Sequence, residues 1–153
     1  LSREPMVTGP EAKRSLMVSV LPFDNTIVTY RMKGRDIEAM LSYIATNYGK
    51  ITGYQYAGLG FTARAGSGTI TDLTVGGKPI EPDRTYRAAT ISYLADGNQN
   101  GLILFKAATD RYDTGFLMRD VAIERLRRTT ELVAPDASMI RFIGGASASR
   151  AIH

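Results

Sequence analysis

Tyr56-Ala-Gly-Leu-Gly-Phe-Thr-Ala-Arg-Ala-Gly-Ser-Gly-Thr-Ile-Thr-Asp-Leu-Thr-Val75 decides what kind of fold this chain adopts. Inside it, Gly58-Leu-Gly60-Phe-Thr-Ala63 spells G-x-G-x-x-A, a dinucleotide-binding fingerprint. That fingerprint works only when a helix follows at once, because the helix N-terminus holds the pyrophosphate. Here the residues read instead as a strand over Tyr56 to Arg64, a turn at Ala65-Gly-Ser-Gly68 and a second strand over Thr69 to Val75. The glycines are then backbone that another group approaches closely, and the sheet is built from hairpins.

Further along, Gly76-Gly-Lys-Pro79 and Pro82-Asp83 read as turns, and Tyr86 to Ser92 as a buried strand. Gly97-Asn-Gln-Asn-Gly101 reads as a loop; it lacks the Lys-Ser/Thr of a phosphate-binding loop. A helix is predicted from Phe116 to about Thr130, and a last strand over Ser138 to Ile143. Upstream, strands are predicted at 15–21 and 26–33. Between Arg35 and Tyr48, Ile37, Met40, Leu41, Ile44 and Ala45 form one apolar stripe of an amphipathic helix. Residues 1–14 are broken by Pro5, Gly9 and Pro10, and the tail from 144 reads as loose. Hairpin strands with helices set apart favour an α+β fold, taken as one domain over residues 1–153.

The chain has 153 residues, enough to bury a core without metal or disulfide help. It has no cysteine, which excludes disulfides, cysteine-ligated zinc and thiol catalysis. Its one histidine is His153, the last residue, so a histidine triad or multi-histidine metal site within the chain is not expected. No apolar run reaches the ~20 residues needed to cross a bilayer. Leu1-Ser-Arg-Glu-Pro5 is polar and does not read as a signal peptide; the chain, not starting with Met, reads as a fragment. The 19 basic and 15 acidic residues give a net charge of +4. Arg125, Arg127 and Arg128 follow Arg119 at helical spacing, which reads as a solvated helix face, and no nucleic-acid partner is expected.

Between the first two predicted strands stands Val20-Leu-Pro-Phe-Asp-Asn-Thr-Ile-Val28. A turn needs no phenylalanine, so Phe23 calls for a role. Read in order, the Leu21-Pro-Phe-Asp-Asn25 turn, Lys33-Gly-Arg-Asp36, Tyr56-Ala-Gly-Leu-Gly-Phe61, Val75-Gly-Gly-Lys-Pro-Ile-Glu-Pro-Asp-Arg-Thr-Tyr86 and Tyr93-Leu-Ala-Asp-Gly97 resemble the C-terminal domain of the 5′-nucleotidase and UDP-sugar hydrolase family. The resemblance spans about residues 1 to 143. It implies mixed sheets with packed helices, layered α/β/β/α. It also implies that catalysis lies in a companion metallophosphatase domain, fused or separate, holding two divalent metals of the zinc or manganese type, so that no cofactor belongs to this chain. This chain would then supply nucleoside or nucleotide recognition, and the whole would act in the periplasm or outside the cell.

By the same resemblance, Phe23 forms one wall of a slot that stacks the base, and Pro22 fixes its approach. Asn25 bonds a base edge or holds the turn, Gly58 brings its backbone close to the nucleoside, and Arg3 stands near the family's substrate-clamping arginine. The family's loop continues Leu-Ala-x-Gly-Gly-Asp-Gly-aromatic; here Leu102 stands where that aromatic second wall belongs, with Phe105 as the ring that could replace it. The family's ribose-binding aspartate falls near Ala107 or Ala108, with Asp110 a loose substitute. A protein-binding module that keeps the fold without the nucleoside slot is the alternative.

Overall fold

The computed structural model describes residues 19–51, 54–129 and 137–144. Arg3, residues 15–18 and the tail from 145 onward lie outside them. The described chain runs β1 (Thr26–Lys33), α1 (Gly34–Thr46), β2 (Leu59–Arg64), β3 (Thr69–Val75), β4 (Lys78–Pro79) and β5 (Thr85–Ile91). A single turn α2 (Ser92–Ala95), a 3-10 turn at Asn98–Asn100 and a single turn α3 (Gly101–Leu104) follow. Then come β6 (Thr109–Leu117), α4 (Met118–Arg128), a 3-10 turn at Ala137–Met139 and β7 (Ile140–Ile143).

The strands form two sheets. One is antiparallel with the order β5-β1-β6; the other is mixed, β4-β3-β2-β7, with β2 and β7 parallel. The architecture is therefore α+β. The G-x-G-x-x-A stretch lies on β2 and runs into the hairpin with β3, not into a helix. The group that passes close to Gly60 is the Thr74 side chain: a Cβ there would lie 2.7 Å from Thr74 Oγ1.

Helix α1 is the centre of packing. Ile37, Leu41, Ile44 and Ala45 of its stripe are buried, Leu41 to 1% exposure. Met32 from the first sheet and Phe61 and Ala63 from the second join Ile37, Leu41 and Ala45 in one cluster. Turns hold both ends of this helix. At its start, Gly34 N–H donates to Arg84 O at 3.0 Å and Arg35 N–H to Pro82 O at 2.9 Å. Two of the N–H groups that every helix start leaves orphaned are thus satisfied by the turn before β5. Only glycine fits at position 34, since a Cβ would lie 2.2 Å from Glu81 O. The turn is itself tied by Glu81 N–H to Tyr86 Oη at 2.9 Å and by Arg35 to Asp83 at 2.8 Å. At the other end, Gly66 N–H of the β2–β3 hairpin donates to Ala45 O at 2.8 Å. The Lys33-Gly-Arg-Asp36 and Pro82-Asp-Arg-Thr-Tyr86 signatures therefore meet in one clamp.

Several sequence expectations are corrected. Of the strand expected at 15–21, residues 19 and 20 are helical. The helical run stops at Leu21, because Pro22 disfavours helical geometry in the residue before it. The strand expected from Tyr56 begins at Leu59. The 85–91 strand is not buried: it is an edge strand whose residues alternate between exposed and half-buried. The helix expected from Phe116 starts at Met118, and a nine-residue strand precedes it. That strand carries little apolar alternation because nearly all of it is exposed; its pairing with β1 holds it. Three register shifts interrupt the ladders, two between β1 and β6 and one between β2 and β3; two of them carry an aspartate. Asp110 in β6 (φ 51°) and Asp72 in β3 (φ 56°) adopt the left-handed conformation beside them, which aspartate tolerates better than most residues.

Candidate functional site

Phe23 lies in the short segment between the helical end at Val20 and β1. The residue is 62% exposed. The backbone around it is nonetheless fixed. Met118 N–H donates to Asn25 O at 2.8 Å, and Arg119 reaches back to Asp24 at 2.5 Å with its own side chain only 18% exposed. Arg119 thus leaves the solvated face expected of it, while Arg125, Arg127 and Arg128 remain exposed, the last two beside Glu124. The turn is anchored from the far edge of the sheet, so the exposed ring is not simply a frayed end.

Asn25 is half-buried. Its side-chain oxygen accepts from Ser92 Oγ at 3.4 Å, and the same hydroxyl accepts the Thr26 N–H at 3.1 Å. The turn is thereby joined to α2. Tyr30 Oη donates to Ala95 O at 3.5 Å, a second tie between β1 and α2.

From α2 the chain enters the loop that carries Leu102. Gly97, Gln99 and Asn100 have φ of 98°, 47° and 67°. Consecutive left-handed residues without glycine at Gln99 and Asn100 mark a backbone held by its surroundings. Two contacts hold it. Gly101 is buried and seats its backbone on Leu94, where a Cβ would lie 1.8 Å from the carbonyl oxygen. Tyr54 donates its hydroxyl proton to Gln99 O. Sequence reasoning passed over Tyr54; an aromatic four residues before Gly58 was the only signal available.

Leu102 is 74% exposed, and its Cγ lies 2.7 Å from where a Gly97 Cβ would sit. Gly58 has φ 74° and nothing within 4 Å of a built Cβ, so its surroundings are open. Its carbonyl accepts Gly76 N–H at 2.9 Å. Phe105 does not stand free: its ring stacks on Tyr30 with centroids 5.2 Å apart and planes 11° from parallel, on the edge of the core. One face of that ring is therefore already covered. Asp110, the loose stand-in for a ribose ligand, pairs with Arg31 at 3.0 Å. Hydrogen bonds thus link the Phe23 turn to α2 and Tyr54 to the 97–102 loop, whereas Phe105 and Asp110 are engaged elsewhere.

Among the described residues, no three His, Cys, Asp or Glu gather in a way that could hold a metal ion. The divalent metals that the sequence resemblance implies therefore find no ligand set among the described residues. Tyr56 has its hydroxyl buried without a hydrogen-bond partner; burial, and to a lesser degree Tyr54, pushes its phenol above the ordinary tyrosine range. It stays neutral, with its ring edge-on to Phe61 at 5.4 Å, a packing role.

Removing only the Tyr54 hydroxyl should loosen the loop. Tyr54→Phe is expected to cost about 0.5–1.5 kcal/mol of local stability, as one lost hydrogen bond does. Amide hydrogen exchange should quicken at residues 97–101 and stay unchanged in β1 and β2. Equal exchange in both proteins would show that the bond does not hold the loop.

Two sheets gathered on one helix, with an anchored turn displaying an aromatic ring, define an α+β domain of distinct type. The chain belongs to the 5′-nucleotidase C-terminal domain family, whose profile matches residues 8–110. It is 30% identical over 133 residues to the silent protein UshA(0) of Salmonella typhimurium, covering 86% of this chain and 24% of that protein. It is 28% identical over 117 residues to a 5′-nucleotidase of Vibrio vulnificus, covering 76% of this chain and 21% of the relative. The chain thus spans about a quarter of the length of the curated relatives it matches. The fold is shared with the Haemophilus influenzae NAD nucleotidase, with a TM-score of 0.74 and 22% identity over 88% of this chain and 27% of that one. A 5′-nucleotidase precursor from Thermus thermophilus gives a TM-score of 0.73 at 24% identity, covering 85% and 27%.

Proposed function

We propose that this chain is the nucleoside-recognition part of a 5′-nucleotidase-like phosphoesterase. The observation that carries the reading is Phe23: a large aromatic residue, 62% exposed, on a turn tied to β6–α4 and to α2. An aromatic face of this kind suits a planar ligand, and base–aromatic stacking contributes about 1–3 kcal/mol. Leu102 and Gly58 are the other surfaces offered to the nucleoside, and Asn25 is the polar contact. Arg3 would meet the phosphate, a task that suits the two-pronged guanidinium. The hydrolytic centre and its divalent metals would lie in a companion domain, and the whole enzyme would work in the periplasm or outside the cell. No helix among the described residues is long and apolar enough to cross a membrane.

A protein-docking role is favoured by a different observation. Tyr112 and Phe116, on the edge strand β6, are 65% and 68% exposed. Calorimetric titration of the chain with adenosine, uridine and a DNA duplex separates the readings. Binding of a nucleoside, lost in Phe23→Ala, supports recognition; no heat with either nucleoside points to docking.

The chain is also expected to release no phosphate from nucleotides, with or without added manganese or zinc. The absence of any metal-ligand cluster among the described residues motivates this. Metal-dependent phosphate release that co-purifies with the chain through several columns would overturn it.

A further inference from the structure

Ser92 stands between two polar groups of the Phe23 turn, accepting from one and donating to the other. Its Oγ lies 3.1 Å from the Thr26 backbone nitrogen. A backbone N–H can only donate, so the hydroxyl acts as acceptor on that side. The hydroxyl must then place its own proton. Among the described residues, the only other polar atom bonded to Ser92 Oγ is Asn25 Oδ1, at 3.4 Å. The order is therefore Thr26 N–H to Ser92 O–H to Asn25 C=O. Turning the Asn25 amide over would set two N–H donors on the hydroxyl oxygen and leave the serine proton to solvent, whereas the order given keeps that proton within the turn. The Asn25 backbone is held by Met118 N–H, which donates to its carbonyl at 2.8 Å, so the side chain reaches Ser92 from a fixed point. The amide NH2 has no partner among the described residues. It is left as a pair of donors on the same turn as the exposed Phe23 ring.

We propose that Ser92 is a specificity-determining positioning residue. It fixes the Asn25 amide so that the turn offers donors only. The base stacked on Phe23 must then turn an acceptor edge, a ring nitrogen or an exocyclic carbonyl oxygen, toward Asn25. This rests on the nucleoside reading above, and it adds a rule about which edge of the base is read.

The test compares adenosine with 1-deaza-, 3-deaza- and 7-deazaadenosine, each of which replaces one ring-nitrogen acceptor by C–H. One of the three is expected to bind the wild-type chain about tenfold more weakly than adenosine, the effect of one unmade hydrogen bond. In Ser92→Ala the amide is free to turn, and that ratio should fall to about twofold or less; Ser92→Thr, which keeps a hydroxyl, should restore it. A merely structural role would weaken adenosine and analogue alike and leave the ratio unchanged. An unchanged ratio in Ser92→Ala, or three analogues that all match adenosine on the wild type, overturns the proposal.

A measurement without ligand keeps this separate from failure of the nucleoside reading. In the wild type, both Asn25 side-chain amide protons should exchange as fast as those of a free asparagine, while the Thr26 backbone amide is protected. In Ser92→Ala the Thr26 protection should be lost. If adenosine does not bind at all, the nucleoside reading and the edge rule fall together, and this exchange pattern still decides whether Ser92 orients the amide. A protected Asn25 side-chain proton in the wild type means that the amide points the other way, and it sinks the proposal.

Discussion

Phe23→Ala abolishes adenosine binding while the fold stays intact: that is the expected result of removing one exposed ring. With most of the side chain in water, truncation should move stability by no more than about 0.5 kcal/mol. What is lost is the stacking surface, and Phe105 is poorly placed to replace it, because Tyr30 already covers one of its faces. The converse change should strengthen the site. Leu102 is exposed, and in the proposed reading it stands in for a second ring; an aliphatic chain touches a base by dispersion without the flat, polarised face of an aromatic. Leu102→Phe is expected to tighten adenosine binding by about 1–3 kcal/mol, or about 5- to 100-fold in dissociation constant. Calorimetric titration of the wild type and the two variants, with circular dichroism as the check on folding, decides the matter. If Leu102→Phe leaves affinity unchanged and the spectrum intact, Leu102 does not line the slot, and docking becomes the better account.

Gly101→Ala should do the opposite of what helix propensity suggests. Gly101 has helical geometry (φ −54°), and alanine in a helix is ordinarily favoured over glycine by about 1 kcal/mol. The added methyl, however, would sit 1.8 Å from the Leu94 carbonyl oxygen, a backbone atom that cannot rotate away. Either α2 or α3 must move, and overpacking of this kind costs about 1–3 kcal/mol, with the upper end expected here. For a chain of this size that is a fall of roughly 6–12 °C in melting temperature. The displacement carries the 97–102 loop with it, so adenosine affinity should drop too. Gly58→Ala is the contrasting case. Nothing crowds that position, and its φ of 74° leaves only a conformational cost of about 1–2 kcal/mol. A Gly101→Ala variant as stable as the wild type would mean that α2 and α3 do not rest on each other in this way.

The sequence was most legible where a local pattern and tertiary burial agree. The α1 stripe needed only its spacing to be read, because the same residues that form the stripe fill the core. The β2–β3 hairpin was legible because Gly66 and Gly68 supply the left-handed backbone its turn requires. β6 was illegible for the opposite reason: it is an exposed edge strand, bulged at Asp110, and no apolar alternation betrays it. The Pro82-Asp-Arg-Thr-Tyr86 signature could be recognised but not interpreted, since its use as a cap for α1 depends on a meeting across about fifty residues. In the site, Phe23 raised its own question by standing in a turn. Tyr54 and Ser92 raised none. Their roles lie in single hydrogen bonds to distant segments, and no residue spacing encodes those.

The parallel pairing of β2 with β7 has a consequence in time. It sets Phe61 beside Ile140 and Arg64 beside Ile143, so its loop must close over more than seventy residues, whereas the β2–β3 hairpin closes over a handful. Contacts this distant in sequence are slow to find, because the entropy of closing the loop is lost before any pairing repays it. During synthesis at about 5–20 residues per second, the hairpin and α1 can assemble seconds before β7 leaves the ribosome. For that interval β2 has an unpaired edge beside Phe61, Ala63 and the core they serve. An open strand edge of this kind is a template for association with another chain. The nascent chain is therefore open to association between the synthesis of β2 and that of β7, and a chaperone that shields strand edges would act on it in that window.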